Sequence, residues 1–243
     1  MKLPDGLPDD GHQRALGGVV CCECPPGAVS LIVGVDSVGR MAICVVVNGP
    51  SSVGKSTLVG GLQDLASVPL LRFGADELYR MVPSQWAGGS AGARHRERGF
   101  SYREVVSEDG TPIGRRIHNG PDAVRMLYAM NAGVLGMVTA GHDVVVDGEA
   151  YEPEVNAVLH RGLRESAERG AIECSIVELT ADVDGLLDRQ QRHAHPAGLA
   201  EFQSRQGWIC RDPDLHVDTG GKSADEVRRD VWEFLVQRHP RLQ

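Results

Sequence analysis

The eight residues Gly49-Pro50-Ser51-Ser52-Val53-Gly54-Lys55-Ser56 have the types and spacing of a phosphate cradle, G-x-x-x-x-G-K-[ST]. Successive backbone N–H groups turned inward bind phosphate oxygens, and glycine at 49 and 54 allows close approach. The N-terminus of a following helix adds partial positive charge. In such a loop Lys55 reaches the terminal phosphates of ATP and the Ser56 hydroxyl ligates Mg²⁺. Ser51, Ser52, Val53 and Thr57 complete the expected nucleotide contacts. A chain with 30 glycines can match this pattern by chance, so the flanks decide. An apolar run, Ala42–Asn48, precedes the loop and a helical pattern, Ser56–Leu65, follows it, which is the required context.

Two carboxylates are candidates for the rest of the chemistry. Asp147 ends the apolar run Val144-Val145-Val146, where a strand-end carboxylate holds Mg²⁺ directly or through water. Glu149 is a possible substitute, and a polar strand end that caps the next loop is the structural alternative. Asp76 follows the short strand Leu70–Phe73 in Phe73-Gly74-Ala75-Asp76, at the sheet edge where ligands bind. It is placed either to orient and deprotonate an acceptor hydroxyl or to N-cap a helix beginning Glu77-Leu78-Tyr79.

The elements that must position these groups alternate along the chain. Continuous apolar runs at 42–48 and 143–147 read as strands buried on both faces. Leu70–Phe73, Ala171–Thr180 and Leu215–Asp218 add three more strands. Helical spacing covers 122–139, 153–169, 182–193 and 223–238, the last with Ser223 and Glu226 at capping-box spacing. The expected fold is α/β, a mostly parallel five-stranded sheet flanked by helices. Residues 1–40 read as an N-terminal extension before a kinase-like domain at 41–243. Within the extension, Ala28–Val35 could form a hairpin with Met41–Val47. Val82–Gly120 is long, rich in Gly and Arg, and carries a hairpin turn signal at Asp109-Gly110.

Composition sets the outer bounds. The 243 residues are 42% apolar and 24% charged with a net charge of −8. These values fit one α/β domain and argue against a main role on nucleic acid or anionic membrane. No run reaches the roughly 20 apolar residues of a membrane span, and the N-terminus lacks a basic and apolar leader. A cytoplasmic protein is expected. Of six cysteines, Cys21, Cys22 and Cys24 cluster without a second ligand pair, which reads as reduced thiols ahead of a zinc site.

The runs VVNGPSSVGKS, RFGADEL and VVVDGEAY together resemble the chloramphenicol phosphotransferase family of P-loop kinases, over roughly Met41–Gln237. The resemblance implies an architecture like that of shikimate and adenylate kinases. It also implies ATP-dependent phosphorylation of an antibiotic hydroxyl for self-resistance, with Asp76 as the base. The family's arginine-bearing lid falls on Leu187–His195, which makes Arg189 and Arg192 the candidates to close over the phosphates. His193 and His195 replace part of the family's lid pattern. The segment between Asp76 and Asp147 departs most from the family. Its arginines (94, 96, 98, 103, 115, 116) and Trp86 read as an acceptor-binding insert for a more polar or anionic acceptor. Asp218-Thr219-Gly220 and Lys222 resemble an adenine-cupping turn. Two other functions fit the cradle: a metabolite or sugar-nucleotide kinase, and a regulatory ATPase or nucleotide switch. Acceptor identity and oligomeric state are not encoded in any of these motifs.

Overall fold

The computed structural model describes residues 40–87, 94–192, 198–205 and 212–243. Five strands form one parallel sheet in the order β2-β5-β1-β6-β7: β1 (Ala42–Asn48), β2 (Leu70–Phe73), β5 (Asp143–Asp147), β6 (Ile172–Thr180) and β7 (Leu215–Asp218). β1 is central, pairing with β5 and β6 in register, so that Val46 lies between Val146 and Ile176. Every residue of β1 and β5 is buried. Such continuous apolar runs are stable only where both sheet faces are covered.

The covering helices follow the period-2 alternation of the strands. Ile43, Val45 and Val47 face α1 (Lys55–Leu65) and α7 (Ala224–Arg238), meeting Leu58, Leu62, Val231 and Leu235. Ala42, Cys44 and Val46 face α3 (Pro121–Thr139) and α4 (Pro153–Glu168), meeting Val134, Val138, Leu159 and Leu163. Each fully buried Val or Leu contributes about 1.5–3 kcal/mol against exposure, so these two layers dominate the stability of the sheet.

A third cluster supports the site. Leu78 and Val82, at the end of α2 (Ala75–Met81), pack with Phe100, Ala123, Leu127 and Met130. Phe100 opens an antiparallel hairpin of β3 (Phe100–Val106) and β4 (Pro112–Asn119), separate from the main sheet. The turn falls at Asp109-Gly110 as expected, and both strands run further than the turn signal alone indicated.

The sheet, its helices and the capping box of α7 agree with the sequence expectation. Three points differ. α2 begins at Ala75 with Gly74 as its N-cap, so Asp76 lies inside the first turn and is not the cap. A short helix, α6 (Leu199–Arg205), follows α5 (Val183–Arg192) without having been foreseen. Both edges of β1 are taken by β5 and β6, so Met41–Val47 is not half of a hairpin; Ala28–Val35 lies outside the described residues, as do Cys21, Cys22 and Cys24. Among the described residues no helix is long and apolar enough to cross a membrane. No group of His, Cys, Asp or Glu there forms a metal cluster of three or more, and Cys44 and Cys174 are buried free thiols.

Candidate active site

The carboxyl ends of β1, β2 and β5 converge on one cavity of about 740 Å³. This is the crevice where strand order reverses about β1, the position at which open α/β sheets bind ligands. Gly49, Ser51, Ser52, Val53, Gly54, Lys55, Ser56 and Thr57 all line it. Gly49 has φ 141°, and a Cβ there would sit 2.3 Å from the Leu179 carbonyl oxygen, so no side chain fits. Gly54 (φ 106°) and Ser52 (φ 66°) also adopt positive φ, which turns the loop back on itself. Ser56 and Thr57 are exposed at the start of α1, while the Val53 side chain is buried in the core and presents only its backbone.

Lys55 donates to the Gly49 and Pro50 carbonyls, each at 2.9 Å, folded across its own loop. Burial lowers its pKa from the ordinary lysine value, and the nearby charges of Asp147 and Asp76 work against that shift. Asp147, Asp76 and Lys55 line the same cavity. Asp147 is buried, with Oδ2 in an ion pair to Arg72 of β2 and Oδ1 without a hydrogen-bond partner. A buried carboxylate oxygen left unpartnered is costly. This one stands where the cradle pattern calls for Mg²⁺ beside Ser56, so the donor set fits that cation. Glu149 also lines the cavity and is committed differently: its Oε2 is bound by Asn48 and by His160 (2.8 Å), while its Oε1 has no hydrogen-bond partner. Of the two acids, Asp147 is the one whose charge acts on Lys55 of the loop.

Asp76 is exposed in the cavity. β2 is brought against β5 by Gly74, where a Cβ would fall 2.4 Å from the Asp147 carbonyl oxygen, and α2 then starts immediately, carrying Asp76 over the loop. Three phenols stand at this end of the cavity: Tyr79 of α2, Tyr102 of β3 and Tyr151 after β5, with Ile117, Leu199 and Gln203. Burial raises the pKa of Tyr79 and of Tyr102, and the charge of Asp76 raises both further. Burial pushes Tyr151 up to about 12. All three stay protonated near neutrality, and the Tyr151 hydroxyl donates to the Gln203 carbonyl at 2.7 Å.

The insert meets the cavity differently from expectation. Tyr102 pairs with Ile117 across the hairpin, and Arg103 pairs with Arg116 on the opposite face. Arg115 shares the Tyr102 face one step further out, opposite Glu104, and is exposed. Arg103 binds Glu97 (2.6 Å) and Arg98 binds Asp122 (2.7 Å). None of the six insert arginines lines the cavity, and Trp86 stacks on His95 at 4.0 Å instead. The alternation along 102–103 and 116–117 was a readable signal for this arrangement; the arginine count was not.

The opposite end of the cavity is formed by Gly185, Asp188, Arg189, Thr219, Gly221, Lys222 and the start of α7. Arg189 donates to the Val53 carbonyl (3.1 Å), the Thr219 hydroxyl (2.9 Å) and the Thr219 carbonyl (2.8 Å). The Thr219 hydroxyl in turn donates to the Thr180 carbonyl at 3.0 Å. Arg189 thus fastens the phosphate loop to the turn after β7. Arg192, one turn on, is exposed and paired with Asp188 at 2.7 Å. The two lid candidates therefore have different surroundings: Arg189 is committed to structure, while Arg192 is exposed at the cavity and paired only with Asp188 of its own helix. His193 and His195 lie outside the described residues. Tyr79, Tyr102, Tyr151 and Gln203 were not among the expected site residues.

Comparison with known proteins agrees with this fold. The family model for chloramphenicol phosphotransferase-like protein matches residues 42–236. No curated protein matches the chain by sequence. A sugar kinase from Janibacter sp. HTCC2649 is similar at a TM-score of 0.53 and 16% identity, over 80% of this chain and 94% of that one. A shikimate kinase from Acinetobacter baumannii gives 0.49 at 14% identity, over 81% and 94%. A tunicamycin resistance protein from Deinococcus radiodurans gives 0.47 at 18% identity, over 80% and 95%. At these identities the structures speak to fold alone, and the sugar kinase is the one of the three near enough to be used for it. With the cradle, the strand-end acid and the family match covering the whole domain, the chain belongs to the chloramphenicol phosphotransferase-like family of small-molecule P-loop kinases.

Proposed function

We propose that this kinase transfers the γ-phosphoryl group of ATP to a hydroxyl of an antibiotic-like small molecule, with Asp76 as the base. The observation that carries the reading is the placement of Asp76. It is exposed in the cavity, electrostatically coupled to Lys55 on one side and to Tyr79 and Tyr102 on the other. A hydroxyl bound among the phenols would have Asp76 within reach and the phosphate loop beyond it.

Asp76 takes the hydroxyl proton as the acceptor oxygen bonds to the γ-phosphorus, and the bond from that phosphorus to the β,γ-bridging oxygen breaks to release ADP. Phosphoryl transfer is governed by positioning and by charge stabilisation. The loop amides and Lys55 supply part of that stabilisation, and Arg192 of α5, which lines the cavity, supplies the rest. Ser56 and Asp147 would hold Mg²⁺, which would supply neutralisation of charge on the phosphates. Arg189 and Thr219 orient the nucleotide end.

The acceptor end also narrows the acceptor. Among the described residues its lining offers phenols, Ile117, Leu199, Gln203 and Asp76, and Arg115, outside that lining, acts on Tyr102 by its charge. An anionic acceptor would meet Asp76 directly, with Arg115 not in the lining to offset it. A neutral, ring-bearing alcohol is the better fit, in place of the anionic acceptor that the arginine count implied.

A panel of antibiotics and nucleosides incubated with Mg-ATP, with products read by mass, tests this directly. A phosphorylated neutral antibiotic is the expected product. Asp76→Asn should lose transfer by about two orders of magnitude or more while binding Mg-ATP as before. Full transfer by that variant removes Asp76 from the role of base, and preference for a sugar acid over every neutral alcohol removes the acceptor reading.

A further inference from the structure

A short helix joins the acceptor hairpin to the phosphate loop. Just ahead of α6, the Gly198 carbonyl accepts from the Arg115 N–H of β4 at 2.9 Å. The neighbouring Gly114 is packed so closely that a Cβ would lie 2.9 Å from the Gly198 carbonyl oxygen and 3.0 Å from Phe202 Cβ. On its other side, α6 carries Gln203, only 8% exposed, whose Oε1 accepts the Ser51 N–H of the phosphate loop at 2.6 Å. The Gln203 carbonyl accepts from the Tyr151 hydroxyl at 2.7 Å. One residue therefore binds the loop through its side chain and the segment after β5 through its backbone.

Ser51 N–H belongs to the row of loop amides that a cradle presents. A buried side-chain acceptor on it fixes the direction of that peptide and closes the loop on the acceptor side. Its partner comes from an element fastened to β4, the strand that carries Ile117 opposite Tyr102 of β3. We infer that Gln203 is a positioning residue that sets the phosphate loop for ATP and makes this setting depend on the acceptor hairpin through α6. A displacement of β4 against α6 is transmitted to Ser51 through the Gln203 amide, with no covalent step involved. The inference rests on nucleotide binding by the loop and is independent of which acceptor is phosphorylated.

Dissociation constants of the full chain for Mg-ATP and for adenosine, measured by calorimetry, provide the test. The proteins are wild type, Gln203→Met, Gly114→Ala and the double variant, with thermal melting to establish folding. Gln203→Met releases the Ser51 peptide from the direction in which Gln203 holds it and should weaken Mg-ATP about tenfold while leaving adenosine unchanged. Gly114→Ala would meet Gly198 and Phe202 of the α6 segment and, at φ +154°, strain β4 itself, which carries Ile117. It should weaken Mg-ATP severalfold in the wild-type background and cause no further loss beside Gln203→Met. Wild-type affinity in Gln203→Met, equal losses for Mg-ATP and adenosine, or additive losses in the double variant would each overturn the inference. Should Gln203→Met fail to fold, unchanged Mg-ATP affinity in folded Gly114→Ala overturns it. Wild type that does not bind Mg-ATP removes the nucleotide reading as well, whereas binding that is insensitive to these variants removes this inference alone.

Discussion

Lys55 has two opposed influences on its charge. Burial favours the neutral amine, while Asp147 and Asp76 favour the ammonium, and burial prevails. The phenols of the same cavity move the other way: Tyr79 and Tyr102 are raised, and Tyr151 lies at about 12. On the alkaline side Lys55 therefore moves toward neutrality while the three phenols move away from it. Below its lowered pKa the ammonium is present to meet phosphate; as pH rises through that value the charge is lost. Affinity for Mg-ATP should accordingly fall at a pH below the ordinary lysine value of about 10.4. Asp76→Asn removes a charge that supports the ammonium, so it should move the fall to lower pH. Lys55→Arg should flatten it, because a guanidinium does not deprotonate in this range. A titration of nucleotide affinity against pH decides the matter, and an alkaline fall that persists unchanged in Lys55→Arg assigns it to another group.

β5 is held at both ends by carboxylates of different use: Asp147 faces the cavity and Asp143 anchors the base of the sheet. Asp143 accepts from Arg241 at 2.7 and 2.9 Å and from the Ile43 N–H at 2.8 Å, and it pairs with Arg40. Burial alone would raise its pKa, but the Arg241 and Ile43 hydrogen bonds and the arginine charges outweigh that and leave it lowered. A depressed carboxylate stabilises the fold above its unfolded value and loses that contribution as pH falls through its folded value. Arg241→Ala should cost about 2 kcal/mol at neutral pH. The gap to wild type should narrow as the solution is acidified below pH 4. Denaturant melts at several pH values check both the size and the narrowing. At the same scale lies the boundary of what could be read beforehand. β1 and β5 declared themselves through unbroken apolar runs, and α7 through its capping box. α6 did not, because its seven residues give an amphipathic pattern too little length to stand out, and its stability comes from Gly198 on β4 and Gln203 on the phosphate loop. Tyr102 and Ile117 were hidden for a similar reason: hairpin alternation separates them from Arg103 and Arg116, and which face meets the cavity is set by α6 and α2.

At the scale of the molecule, the cavity is divided between a rigid half and an adjustable half. Arg189 ties the loop to Thr219 at the nucleotide end, while the acceptor end depends on a hairpin joined to the rest through the α3 side of the core and α6. The cradle, Asp147 and Asp76 were legible because each follows a strand whose burial pattern is itself legible. The acceptor wall was not, because it is assembled from four separate stretches of chain that only the fold brings together. The same view bears on the first forty residues. The family match begins at residue 42, and β1 starts there with both edges already paired, so the sheet has no place beside β1 for a preceding strand. Among the described residues, those that line the cavity come from Gly49 onward. A chain beginning at Arg40, which keeps the ion pair with Asp143, should therefore bind Mg-ATP within about twofold of the full chain and melt within a few degrees of it. A chain beginning at Met41 loses only that partly exposed pair and should fall slightly lower in melting temperature. Loss of nucleotide binding in the Arg40 form would show that the extension belongs to the kinase domain.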